Sequence, residues 1–309
     1  MTPVPACRAR PGHGSPGAVP RDHTVLPGSD PGWTPSRRAG AEAGPVPFTL
    51  AHPAAVLPLA RRPLVPAALV AGSLSPDVPY FVPLPRSAGT WYEPFVNATT
   101  THAWPGALSV AVPTGLLLVG LWWVVRGPAR DLLGVHRDAA APASRALPTT
   151  HAPRALARTV LSVALGVLTH VVWDSFTHGD GVVVQHVAWL REPLVGSVTA
   201  GRVLQHTSTA VGLGALAVVA VRALRRHRTR LAVDRGRVAV LVGLAVAAAV
   251  GATVAVAGTD APGVEVALAA AAKGGGTALV TAVLVAAGAY RLARDARPRT
   301  AGRRAATGL

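Results

Sequence analysis

Gly166-Val167-Leu168-Thr169-His170-Val171-Val172-Trp173-Asp174-Ser175-Phe176-Thr177-His178-Gly179-Asp180-Gly181 closes a long apolar run and spaces His170, Asp174 and His178 four residues apart. On a helix, residues four apart share a face and lie about 6 Å apart along the axis. His170 and Asp174 can therefore reach one metal ion together. His170 and His178, about 12 Å apart on a straight helix, share one only if the helix ends near Phe176. Gly179, Asp180 and Gly181 supply such an ending, because glycine takes the left-handed conformation that stops helices. The same spacing also fits three polar residues at a wet helix end, and the triplet alone does not choose between the two.

The composition sets the solvent. Half of the 309 residues are hydrophobic and 14% are charged, with the apolar residues in long runs of Ala, Val, Leu and Gly. That is a membrane composition. A net charge of +16 would suit nucleic acid, but the arginines cluster between hydrophobic runs and form no continuous polar face, so nucleic acid is not the expected partner. Membrane lipid is. Cys7 is the sole cysteine, which leaves no disulfide framework and no Cys-type zinc site. Any metal must be held by His and carboxylate.

Residues 1–45 are rich in Pro, Gly and Arg without apolar period and read as a disordered tail. Residues 46–224 form a membrane domain carrying the His and Asp motifs, 225–292 hold two further hydrophobic segments, and 293–309 read as a disordered basic tail. Within 50–72, four prolines and Arg61-Arg62 break the apolar pattern, which predicts a pair of short helices, re-entrant or interfacial. Residues 73–104 read as an ordered loop. Spans follow at about 105–125, 156–176, 203–221 and 237–258, each near the ~20 residues that cross the hydrocarbon. A last segment, about 263–290, is interrupted by Lys273 and Gly274-Gly275-Gly276, which predicts a kink or an interfacial turn. The fold class is all-α: a polytopic membrane protein of five to six hydrophobic helices.

Arginines fill 126–158, 222–237 and the tail from 291, whereas 73–104 and 177–202 hold only Arg86, Arg191 and Arg202. The positive-inside rule then places the arginine-rich loops and the C-terminus in the cytoplasm of a multi-pass cell-membrane protein. On that topology Asp77, His102, His170, Asp174, His178 and His206 all fall on the extracytoplasmic side. Ionisable groups gathered near one membrane face are costly and usually functional or mutually paired, and a His/Asp set suits an N/O-ligated divalent ion, zinc foremost. His102, His170 and Asp174 with Asp77 or His52 are the candidate ligands. Asp77 is a ligand or general base, and His178 or His206 a positioning group or proton donor. His186 reads as facing headgroups. His136, His151 and His227 read as solvated surface, and His13 and His23 belong to the N-terminal tail.

Five blocks carry a resemblance: Pro47-Phe48-Thr49-Leu50-Ala51-His52-Pro53-Ala54, Gly72-Ser73-Leu74-Ser75-Pro76-Asp77, Thr101-His102-Ala103-Trp104-Pro105-Gly106, Thr169-His170 through Thr177-His178, and Leu204-Gln205-His206-Thr207-Ser208. Over about 47–220 the chain resembles an uncharacterised bacterial membrane family whose members begin Met-Pro-Phe-Thr. More distantly, the order of blocks is similar to that of membrane-bound metal-dependent hydrolases and zinc-dependent phospholipases C. That likeness implies His52, Asp77, His102, His170 and Asp174 as metal ligands. Pro79 and Asn97 stand where two further ligands of that pattern would be, which points to one complete site in place of two or three metals. His52 fits only if 50–72 forms a hairpin or lies at the interface, since a single span would put it across the bilayer.

Two functions follow. One is a membrane-embedded metal-dependent hydrolase acting near the extracytoplasmic surface on a lipid or lipid-linked ester or phosphodiester. The other is a non-catalytic scaffold, cation-binding or permease-like protein whose His/Asp cluster is structural. The resemblance also predicts translation from Val46, encoded as GTG. N-terminal mass spectrometry of the native protein should find no peptide crossing Arg38 to Val46, and such a peptide would end that expectation.

Overall fold

A computed structural model describes residues 49–82, 84, 89–132, 152–227, 234–259 and 263–296. The expected tail 1–45, together with His13, His23, His136 and His151, lies outside the described residues. A 3-10 helix at Thr49–Ala54 and a 3-10 turn at Leu57–Leu59 lead to α1 (Pro66–Leu74) and a second 3-10 helix at Ser75–Phe81. Short helices α2 (Glu93–Val96) and α3 (Ala98–His102) precede a π-helical turn at Ala107–Ala111 and α4 (Val112–Leu132). Then come α5 (Ala152–Thr177), α6 (Val182–His186), α7 (Ala188–Arg191) and an antiparallel ribbon of β1 (Pro193–Val195) with β2 (Val198–Thr199). The chain finishes with α8 (Ala200–His227), α9 (Arg235–Ala257) and α10 (Val264–Asp295).

Five stretches are long and apolar enough to cross a membrane: Ala107–Leu132, Ala152–His186, Ala200–Ala223, Arg235–Ala257 and Val264–Arg294. They make this a polytopic α-helical membrane protein. Large apolar side chains such as Val211, Val254 and Val285 stand on their outer faces, as expected where lipid is the solvent.

The segment before α4 is a hairpin, and α5 is its template. Val65 N–H, at the start of α1, donates to Ser162 Oγ at 2.9 Å, and His170 Nδ1–H donates to the Ser73 carbonyl at 2.7 Å. Each bond satisfies a backbone group that a helix end leaves without an intrahelical partner. The two helices thus run side by side in the same direction. His52 lies against Asp174, near the far end of α5, so the chain descends along α5 from His52 to Val65 and returns as α1. Arg61 and Arg62 sit exposed at the tip of this hairpin, on the side of α5 that begins near Arg154 and Arg158. Their charges are carried toward the other arginines and away from mid-bilayer, where they would be expensive.

Small residues permit this closeness. A Cβ on Gly72 would stand 2.1 Å from the Val163 carbonyl oxygen, and one on Gly166 would stand 2.3 Å from that of Leu69. Ala68, Ala71, Ala107, Ala111, Val119, Val163 and Val167 fill the seam between α1, the π-helical turn, α4 and α5.

The last hydrophobic segment runs through the glycines expected to interrupt it. It is one uninterrupted helix through Lys273 and the three glycines, reaching Asp295 into the predicted tail. The glycines serve packing: a Cβ on Gly274 would lie 2.3 Å from the Gly251 carbonyl oxygen, and one on Gly251 2.6 Å from that of Gly274. Helix association in lipid depends on such close backbone approach. Arg202 pairs with Glu265 at 2.7 Å, joining the starts of α8 and α10, and Arg291 donates to the Trp123 and Val124 carbonyls near the other end, each at 2.8 Å.

Because Gly166 has no room for a side chain, Gly166→Val should cost roughly 1–3 kcal/mol through overpacking and lower the midpoint of thermal unfolding in detergent. Gly120→Ala, where a Cβ meets nothing within 4 Å, should leave the midpoint unchanged or slightly raised.

Candidate metal centre

The site is assembled from the end of α5 opposite its arginines. On that helix His170 and Asp174 are one turn apart and both buried. α1 hands the chain to the 3-10 helix Ser75–Phe81, where Pro76 at the first turn fixes the entry and Asp77 points inward, fully buried. α3 brings His102. Asn97 caps that helix by accepting from Thr99 N–H at 2.9 Å, and Thr101 Oγ1 donates to the Pro76 carbonyl at 2.7 Å, locking α3 to the segment that carries Asp77. Asn97, at the position where the hydrolase pattern would have a histidine, serves here as a helix cap.

One donor atom from each of Asp77, His102, His170 and Asp174 falls within 4.8 Å of all the others, a group able to hold a metal ion. His102 Nε2 is 3.0 Å from His170 Nε2. It is 3.3 Å from both Asp77 Oδ1 and Asp174 Oδ2. His170 Nε2 is 3.5 Å from Asp77 Oδ1 and 3.1 Å from Asp174 Oδ2. A tetrahedral zinc ion with bonds near 2.0–2.1 Å has ligand-to-ligand edges of about 3.3 Å. The observed edges scatter around that value.

Hydrogen bonding fixes which nitrogens face the centre. His170 Nδ1 donates to the Ser73 carbonyl and His102 Nδ1 to the Ala98 carbonyl, each at 2.7 Å. A carbonyl only accepts, so both Nδ1 atoms carry protons, and each ring, when neutral, turns an Nε2 lone pair inward. Backbone carbonyls orienting imidazoles in this way are the usual outer support of metal ligands. Two lone pairs and two carboxylates then converge on one point. Neither Asp77 oxygen, nor Asp174 Oδ1, has an aligned hydrogen-bond donor although all three are buried. Buried charge of one sign without donors is strongly disfavoured, and a cation at the centre relieves it.

Balanced by protons alone, the centre still asks for positive charge. Burial opposes the charged form of His102, but Asp174 and Asp77 beside it carry its pKa up to about 9. Asp77 is held well below the usual carboxylate range: burial acts the other way, and His102 and His170 outweigh it. His52 differs. Burial, aided by neighbouring His170, holds it down at about 4, so its ring is neutral.

The structure brings together most of the residues expected from the sequence, in distinct positions. His52 Nε2 lies 3.1 Å from Asp174 Oδ1 and its Nδ1 lies 3.3 Å from His170 Nδ1. It stands behind two of the donors and outside the group of four. His178 Nδ1 is 3.3 Å from Asp174 Oδ1 and its Nε2 is 3.3 Å from Gln205 Nε2. His206, expected as a supporting group, is exposed, and no hydrogen bond or ion pair joins it to the cluster among the described residues; Gln205 takes that place. Gly201, Gln205 and Thr209 are buried at four-residue spacing, and that periodicity, visible in the sequence, marks the inward face of α8 from which His206 is rotated by a quarter-turn. His186 is exposed, with Nδ1 bound to the Val182 carbonyl at 2.8 Å. Access to the centre runs past His102 and His178, whose side chains are 22% and 23% exposed while those of Asp77 and His170 are closed.

Purified protein should carry about one divalent ion per chain by inductively coupled plasma mass spectrometry. His170→Ala and Asp77→Ala should lose it and His206→Ala should keep it. Because His102 binds a proton up to about pH 9, metal must displace it. Apparent affinity should therefore fall on acidification by about tenfold per pH unit for each displaced proton, as read by competition with a chelator.

The family described as "Domain of unknown function (DUF4184)" matches residues 46–288, which takes in α9 and α10 beyond the motif blocks of 47–220. No curated protein and no solved structure matches the chain. With more than three-quarters of its length covered by that match, the chain belongs to the DUF4184 family.

Proposed function

We propose that this protein is a metal-dependent hydrolase whose centre lies near the extracytoplasmic membrane surface and acts on a lipid or lipid-linked ester or phosphodiester. The observation that carries this reading is the donor set, two imidazole nitrogens and two carboxylate oxygens with edges of 3.0–3.5 Å, which fits zinc best among common divalent ions. The centre sits at the ends of α5 and α8 remote from the arginine-rich loops, and the positive-inside rule assigns those loops to the cytoplasm.

Asp77, His102, His170 and Asp174 would hold the ion. When bound, a divalent ion supplies Lewis acidity toward a phosphoryl or acyl oxygen and lowers the pKa of water. Asp77, wholly enclosed, suits a ligand better than a general base. His52, neutral and buried, positions Asp174 and His170. His178 is the general acid–base: its Nδ1 lies 3.3 Å from Asp174 Oδ1, and the ring is partly open to the solvent side. It takes a proton from the attacking water and returns it to the leaving oxygen as the ester bond breaks.

A structural ion is the second reading, favoured by the donor count, because four protein ligands complete a tetrahedron whereas catalytic zinc usually keeps one position open. One experiment separates the two. The protein in lipid nanodiscs, with its metal content measured, is given soluble chromogenic phosphodiester and ester probes. Hydrolysis that His178→Gln slows by about 100-fold or more at unchanged metal content is the expected result. Wild-type protein that carries its metal and hydrolyses neither probe would leave the structural reading standing.

A further inference from the structure

The 3-10 helix Ser75–Phe81 has a second neighbour. One turn beyond Asp77, Tyr80 and Phe81 leave the metal centre and border a cavity of ≈ 770 Å³ between this helix, α9 and α10, with Val246, Val250, Lys273 and Thr277 on its other walls. Val246 and Val250 are more than half exposed, so the cavity opens on the lipid-facing side of α9. The Gly251–Gly274 contact brings α9 and α10 together beside it. Thr277 Oγ1 donates to the Phe81 carbonyl at 2.9 Å, pinning the segment that carries Asp77 to α10.

Lys273 gives this apolar groove a charge. It is the chain's only lysine, it lies inside the span Val264–Arg294, and it lines the groove, so an anionic group seated there would meet a positive charge among apolar walls. Its Nζ stands 5.3 Å from the centre of the Tyr80 ring, within cation–π range. The Tyr80 ring in turn stands 6.5 Å from that of His102, the ligand on the open side of the centre. Lys273 is about 13 Å below the start of α10, and His170 about 10 Å below the end of α5, so the two lie at similar depth.

We propose that the groove binds an anionic glycerophospholipid, with an acyl chain along the valines of α9 and the phosphodiester at Lys273. The apolar walls match the chain and the ammonium matches the phosphate; a diacylglycerol offers only the first of these, and a free phosphate only the second. That this lipid is also the substrate rests on the hydrolase reading above, since a phosphodiester held at Lys273 has Tyr80 and then His102 as its next neighbours.

Native mass spectrometry of the metal-analysed, detergent-purified chain with dioleoyl phosphatidylglycerol and with dioleoylglycerol tests the site. One phosphatidylglycerol should bind per chain, preferred over dioleoylglycerol by about tenfold or more, the worth of a charge-assisted hydrogen bond. Lys273→Gln should abolish the preference and Lys273→Arg should retain it. Gly243→Phe, at a groove position where a Cβ meets nothing within 4 Å, should weaken both lipids, with metal content the same in every variant. Equal binding of the two lipids by wild type, phosphatidylglycerol binding untouched by Lys273→Gln, or a lipid-free dimer in which a second copy covers the groove would each overturn the proposal. Failure of the hydrolase reading shows separately: a Lys273-dependent preference in protein without stoichiometric metal keeps the groove and removes the metal centre.

Discussion

Two imidazoles, each tied through Nδ1 to a backbone carbonyl, must turn their Nε2 atoms toward each other and toward two carboxylates. That constraint organises the molecule. His170 cannot rotate away without giving up its bond to the Ser73 carbonyl, and His102 without giving up its bond to the Ala98 carbonyl, which Thr101 Oγ1 also reaches. Both Asp77 oxygens and Asp174 Oδ1 are buried beside them and lack aligned donors. The centre therefore holds together only around positive charge, whether protons on the rings or a metal ion, and five of its edges, 3.0–3.5 Å, are of the length a small divalent ion would need. A cluster of this kind is weak evidence for stability by itself, since desolvation offsets much of the attraction. Its fit to an ion is the stronger argument.

The surrounding fold is arranged to deliver these groups to one place. α1 is too short to span a bilayer, and its purpose is structural: clamped to α5 at Ser162 and His170, it returns the chain from the hairpin tip and sends it into the 3-10 helix that carries Asp77. The same hairpin brings His52 to the centre while its arginine tip lies toward the opposite end. One bond, from His170 to Ser73, thus caps a helix, fixes a tautomer and sets the position of Asp77. Packing, capping and ligand orientation are coupled here, since Gly166 abuts the backbone of Leu69 and Ser73 in the same seam.

α9 and α10 form a pair of their own, joined through glycine and alanine contacts, and α10 also packs against α4 and, at Gly276, against the Phe81 ring, with polar ties beside these contacts. Thr277 holds the segment after Asp77, Arg291 holds the end of α4, and Glu265 holds the start of α8. Between α9, α10 and the Ser75–Phe81 helix the packing leaves a cavity. The groove with Lys273 on its wall lies in that space, and Tyr80 bridges it to the centre.

Much of this was legible in the sequence. Apolar length gives the spans because lipid forces backbone groups to pair within each helix. The four-residue step from His170 to Asp174 gives one side of the site, since helical period fixes which residues share a face. Period does not say what that face meets. The prolines and Arg61-Arg62 announce a pair of short helices over 50–72, but only the tertiary structure, by laying that hairpin along α5, puts His52 on the same side as the others. It also preferred Gln205 to His206, a choice set by the rotation of α8 against the Thr49–Ala54 helix. Lys273 and its glycines look like a break when read along one helix; the close approach of α9 explains them, and no single segment contains that information. Convergence of Asp77 and His102 on α5 depends on bonds between residues far apart in the chain, and those bonds exist only once the helices have packed.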